Sequence, residues 1–143
     1  MMKLPVKGKV KIWQGEKLVA EGSNRVVSDG LVLLAERILD GLTPLPSLFK
    51  LGDSAALTTN EMTELQGTEV AKLTATPERR ENVLVWTGDF VFDGAIEKTC
   101  RELGLFQSDE DGGRMLARFL PLQQFILKNG TPVKVNWEIT IGE

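Results

Sequence analysis

Val133, Val135, Trp137, Ile139 and Ile141 alternate without a break with Lys134, Asn136, Glu138 and Thr140. Successive side chains on a strand point to opposite faces, so residues 132–141 predict a long β-strand with one apolar face and one wet face. A strand like this is stable only inside a sheet that covers its apolar side. The sequence closes with this strand, which gives the expectation that its work is done by the surface of a β-rich body. That favours an assembly part over an enzyme.

The remaining chain agrees with a β body of one domain. At 143 residues it is long enough to bury a core without covalent staples. A 42% hydrophobic and 26% charged content is that of an ordinary globular protein. The net charge of -3 gives no concentrated basic surface, so nucleic acid is not an expected partner. Cys100 is the single cysteine and has no partner for an internal disulfide. The opening residues turn polar at once and carry no apolar stretch of signal-peptide length. No apolar run is long enough to span a bilayer, so no membrane role is expected and the chain reads as made in the cytoplasm.

The strongest chemical restriction is the complete lack of histidine. Ser-His-Asp and Cys-His catalysis, histidine metal sites and the commonest acid–base group near neutral pH all fall away. A thiolate zinc site within one chain needs more than Cys100. No catalytic residue, cofactor or metal site is therefore expected.

Along the chain, Val6, Gly8, Val10 and Ile12 alternate with Lys7, Lys9, Lys11 and Trp13, which predicts a first strand with a basic outer face. Gln14, Gly15 and Glu16 supply a reversal into a second strand over 17–22. One helix is expected over about residues 29–40, capped by Ser28 or Asp29, with Leu31, Leu34, Ala35, Ile38 and Leu42 on its core-facing side. Gly41 and Pro44 close it. Residues 47–52 read as a short buried strand, and 53–64 as a polar surface loop. Residues 68–76 and 82–93 read as strands joined by a charged turn over 77–81. Residues 103–106 and 114–119 flank a turn over 108–113, and 123–127 precede the last strand. The expected architecture is a single domain over 1–143, mainly β, an antiparallel β-sandwich with one packed α-helix.

Several residues look chemical. Asp53 and Ser54 follow Gly52 in a Gly-Asp-Ser string like that of a class of serine esterases, yet a serine nucleophile needs a base. A turn in which both side chains bond the backbone is the simpler reading. Asp109, Glu110 and Asp111 precede two glycines and offer hard oxygen ligands, but lack the alternation and distal glutamate of a calcium loop. A solvated hairpin tip explains them. Asp93, Glu97 and Glu102 lie near Lys98 and Arg101, where surface ion pairs are the default reading. Those cations would lower the pKa of an exposed Cys100, but a half-buried structural thiol fits better. Trp137 has core phase, Trp86 is expected to pack, and Trp13 is the aromatic expected at the surface beside a strand edge, as in a protein contact.

Segments in this order resemble a family of tailed-bacteriophage virion proteins related to tail-collar and tail-fibre N-terminal modules. They are Asn24-Arg-Val-Val-Ser-Asp-Gly-Leu-Val-Leu-Leu-Ala-Glu36, Lys50-Leu-Gly-Asp-Ser54, Glu102-Leu-Gly-Leu-Phe106, Gly113-Arg-Met-Leu-Ala-Arg118 and Val133-Lys-Val-Asn-Trp-Glu-Ile-Thr-Ile141. The resemblance spans nearly the whole chain. Two departures stand out: Asp53-Ser54 occupy a run that is usually richer in glycine and threonine, and the chain is expected to lack the fibre shaft and receptor-binding region. The resemblance implies a mounting module in a virion, a collar, baseplate or adaptor component that forms homo-oligomers and contacts other virion structural proteins. On that reading the contact residues are Trp13 on the first hairpin, Asp53 and Ser54 in the 53–65 loop, and Asp109, Glu110 and Asp111 at the tip. A rival expectation is a small carbohydrate- or ligand-binding β-sandwich, which requires at least two aromatics on one exposed face. A hydrolase with paired carboxylates is a third class, and no spacing here points to such a pair.

Overall fold

A computed structural model describes residues 6–108 and 113–142. In chain order these form β1 (Val6–Gln14), β2 (Lys17–Val26), α1 (Ser28–Asp40), β3 (Leu48–Gly52), β4 (Glu69–Thr74), β5 (Thr76–Arg80), β6 (Val83–Val91), β7 (Lys98–Cys100), β8 (Glu102–Phe106), β9 (Met115–Phe119), β10 (Phe125–Leu127) and β11 (Pro132–Ile141). Nine strands make one sheet in the order β4-β3-β8-β9-β2-β1-β11-β6-β5, and β7 pairs with β10 in a separate ribbon. Every pairing among the described residues is antiparallel. The mainly β, antiparallel body with one helix agrees with the sequence expectation.

The facing layers are flanks of one sheet that curls until it nearly closes into a barrel. The closing element is a single extended stretch. β4 pairs with β3, passes through Ala75, and continues as β5, which pairs with β6. At the seam Gly88 lies against the opposite main chain, where an added Cβ would stand 2.3 Å from the Thr74 carbonyl oxygen.

The alternation of β11 has the expected consequence. Val133, Val135, Trp137 and Ile139 are buried, and β11 sits between β1 and β6, where Trp137 pairs with Val10 and Trp86. Phe49 stacks on Trp137 with ring centroids 6.0 Å apart. Both buried indoles keep a hydrogen bond, as buried N–H groups must. Trp86 Nε1 donates to the Pro46 carbonyl at 2.9 Å. Trp137 Nε1 donates to the Asn24 side-chain oxygen at 3.0 Å, with the amide assigned from its hydrogen-bond partners.

β8 and β9 are buried along their full length because both of their faces are covered. The barrel core lies inside, while α1 and the 53–68 segment lie outside. Val27, Phe106 and Met115 form a second small core on this outer side, joined by Leu48, Met62 and Leu65. α1 reaches it through Gly30, where a Cβ would meet the Leu116 carbonyl oxygen at 2.0 Å. Only a residue without a side chain allows that approach.

Three local expectations need correction. The charged run 77–81 was expected as a turn, but Thr76–Arg80 is a strand with the reversal displaced to Glu81, whose φ is 54°. Pro77 and three charged side chains suit an exposed edge strand, where a missing N–H is harmless. The N-cap of α1 is Val27, and neither Ser28 nor Asp29 makes a side-chain cap bond. Lastly, the core-facing side of α1 is Gly30, Leu33 and Leu34, whereas Leu31, Ala35, Ile38 and Leu42 are exposed. The apolar stripe expected to face the core is divided, and only Leu34 of the expected set is buried.

Candidate functional site: a clamped loop and an open helix face

The 53–68 segment between β3 and β4 is a surface loop whose two ends meet. Asp53 Oδ1 accepts a hydrogen bond from the Thr68 N–H at 2.7 Å, giving the closed outline of an Ω-loop. Ser54 Oγ accepts from the Ala56 N–H at 3.2 Å. Asp53 and Ser54 thus bond the backbone of their own loop, as the turn reading of the Gly-Asp-Ser string expects.

The clamp beneath the loop is an ion pair that sequence reasoning missed. Glu102 on β8 and Arg118 on β9 are joined at 3.1 Å with both side chains fully buried. Glu102 also accepts from the backbone N–H groups of Ser54 at 3.0 Å, Gln66 at 2.8 Å and Gly67 at 2.8 Å. Arg118 donates to the carbonyls of Ala56 at 2.6 Å and Ser54 at 3.3 Å, and to the Thr58 hydroxyl at 2.9 Å. Anion and cation are each surrounded by loop backbone of the matching polarity, which offsets their desolvation. Gly52, opposite Glu102 in the sheet, leaves space for the carboxylate, since a Cβ there would stand 2.6 Å from Oε2.

Two surface arginines complete the anchoring. Arg25 donates to the Thr58 carbonyl at 2.8 Å, and Arg101 donates to the Asp53 carbonyl at 3.2 Å and to Gln124 Oε1 at 2.8 Å. The Ser28 N–H at the start of α1 donates to the Asn60 carbonyl at 2.8 Å. The start of α1 is therefore tied to the loop, and the two form one continuous outer surface. Leu57 projects from the loop and is 82% exposed.

Trp13 lies elsewhere. It stands on β1, separated from β3 by β2, β9 and β8, and β1 is interior to the sheet, so the expected strand edge beside it is not there. Its ring is half-buried, with Lys134 Nζ 5.7 Å from the centroid. Trp13 lines a shallow groove with Lys9, Lys11, Asn136 and Glu138. Trp86 and Trp137 are fully buried, so no second tryptophan shares that face. Asp109, Glu110 and Asp111 lie outside the described residues.

Cys100 is buried, its thiol donating to the Glu102 carbonyl at 3.3 Å, and burial pushes its pKa up to about 12. That removes the reactive thiolate which the neighbouring cations would favour at an exposed site. Among the described residues no group of acidic or thiol side chains is arranged to hold a metal ion, and no helix is long and apolar enough to cross a membrane.

Comparison with known proteins returns no match at the significance threshold, whether to a family model, a curated protein or a solved structure.

Proposed function

We propose that this chain is a non-enzymatic structural component of a tailed-phage or prophage-derived virion, a collar, baseplate or fibre-attachment adaptor working through protein–protein contacts. The observation that carries this reading is the outward surface made by α1 and the clamped loop. Large apolar side chains of α1 stand in solvent there, beside Leu57 on a loop whose backbone is held by the Glu102–Arg118 network. Exposed apolar patches on a rigid scaffold suit protein partners. The resemblance of its ordered segments to phage tail-collar and tail-fibre modules supplies the virion context.

Contacts through added strands are a weaker mode for this body. The exposed edge of β5 carries Pro77, Glu78, Arg79 and Arg80, a composition that resists edge-to-edge pairing. The carbohydrate-binding alternative needs two aromatics on one exposed face, whereas the described aromatics are buried except for half-buried Trp13 and Phe90, and Phe90 packs against the core.

The test is mass spectrometry of purified tailed particles released by a bacterium carrying the gene. The chain is expected at a stoichiometry that is a multiple of the tail symmetry. Particles of full infectivity that lack it would overturn the proposal.

A further inference from the structure

The exposed apolar face of α1 is arranged symmetrically about one small residue. Ala35 stands at its centre. Leu31 and Val32 lie four and three residues before it, and Ile38 and Leu39 lie three and four residues after it. At helical spacing these five positions share one side of the helix. Ile38 and Leu39 are 81% and 90% exposed, and Leu31 and Val32 are each about half exposed. Leu42, just past the Gly41 cap, extends the patch.

We infer that this face pairs with the same face of a second copy, α1 against α1, about a two-fold axis through Ala35. A two-fold contact requires a surface complementary to itself. Rotation about Ala35 carries Leu31 onto the partner position of Leu39, and Val32 onto that of Ile38. Ala35 meets its own counterpart, where a small side chain lets the two backbones come close. The area is of the right order: these residues expose roughly 600 Å² per protomer, so a pair can cover at most about 1,200 Å², the lower end of specific interfaces.

Charge does not oppose the contact. Glu36 beside the face is turned onto Arg114, with Oε2 2.6 Å from Nη2, and Asp40 is engaged by its own helix cap. The charged residues of α1 are Asp29, Glu36, Arg37 and Asp40, an acidic balance that fits a membrane surface poorly, because interfacial helices carry lysine and arginine on the polar side. The inference rests on the protein-contact reading above for its premise that this face is an interface.

The experiment is light scattering of the purified chain across a concentration series, with oxidative crosslinking of single-cysteine variants. The expected mass is twice that of one chain, falling twofold in Ile38→Glu and Leu39→Glu while circular dichroism stays unchanged. Because Cys100 is buried, Ala35→Cys introduces the accessible thiol and is expected to give a disulfide-linked dimer. Leu122→Cys, at a residue 96% exposed and lying between β9 and β10, outside α1, controls for random collision. A wild-type mass of one chain at every concentration, or crosslinking of Ala35→Cys no faster than Leu122→Cys, would overturn the pairing. A chain that is monomeric yet present in purified particles overturns the pairing and leaves the virion reading intact. A paired chain missing from particles overturns the virion reading alone.

Discussion

Glu102 and Arg118 stand on neighbouring strands, 3.1 Å apart and fully out of water, and between them they hold five backbone groups of the 53–68 loop. The carboxylate collects N–H donors from Ser54, Gln66 and Gly67, and the guanidinium collects carbonyls from Ser54 and Ala56. A surface loop is thus fixed by a charge pair lying under it. Neither charge has access to water, so each depends on the other and on the loop staying closed.

Removing one partner leaves an uncompensated charge in the interior. Arg118→Leu or Glu102→Leu is expected to destabilise the fold by about 3–5 kcal/mol, measured by urea unfolding. Amide exchange at Ser54, Gln66 and Gly67 should accelerate in the same variants. The double variant with both groups apolar is expected to recover part of the global stability while the loop amides stay fast. Equal protection in wild type and Arg118→Leu would show that the loop holds itself closed.

The glycine under α1 makes a second test. Gly30→Ala places a methyl group where the Leu116 carbonyl oxygen already sits, so helix and β9 must separate. A loss of about 1–3 kcal/mol is expected in thermal or urea unfolding, the range for forced overpacking. Gly41→Ala puts a side chain at a left-handed φ of 65° with open space around it, and is expected to cost about 1–2 kcal/mol through the backbone alone.

The sequence carried the sheet more legibly than the surface around it. β1 and β11 are half-buried strands, and period-two alternation reports that condition directly. β5 was hidden because an edge strand uses proline and charges, the same residues that make turns. In α1 both the buried and exposed sides are apolar, so periodicity finds the helix without saying which side meets the sheet. Gly30 decides that, through its approach to Leu116. Glu102 read as a surface ion-pair residue and Arg118 carried no reading of its own, because their burial depends on β8 pairing with β9, on Gly52 making room, and on a loop folding over them. Arg118 interrupts the otherwise apolar Met115–Phe119 strand, which is the one local sign of the pair.

The thiol of Cys100 should be inert in the folded chain. Burial raises its pKa from 9.0 to about 12, and the thiolate is the reactive form. The folded state therefore holds the proton that an unfolded chain releases above pH 9. The resulting stability contribution is fully present below that pH and is lost as the pH rises from about 9 towards about 12. Alkylation at pH 8 is expected to be slow in native buffer and stoichiometric in guanidinium. Rapid native alkylation would place the thiol at the surface.

The C-terminal turn of α1 should respond at the opposite end of the pH scale. The Thr43 hydroxyl bonds the Asp40 carboxylate at 2.6 Å, and the Thr43 and Leu42 N–H groups bond it at 2.8 and 2.7 Å. These donors favour the charged form and hold its pKa below the usual 3.8, the Thr43 hydroxyl contributing most. A depressed carboxyl pKa gives stability that is present above the unfolded value and is lost as the pH falls through the folded one. The turn is therefore expected to stay closed at pH 5 and to open only as the pH falls below 3.8, through the depressed folded value, with faster exchange of the Leu42 and Thr43 amides seen by NMR. Thr43→Val should move the Asp40 titration back up towards 3.8 and open the turn at a higher pH. An Asp40 titration identical in the variant and the wild type would show that the hydroxyl does not hold the cap.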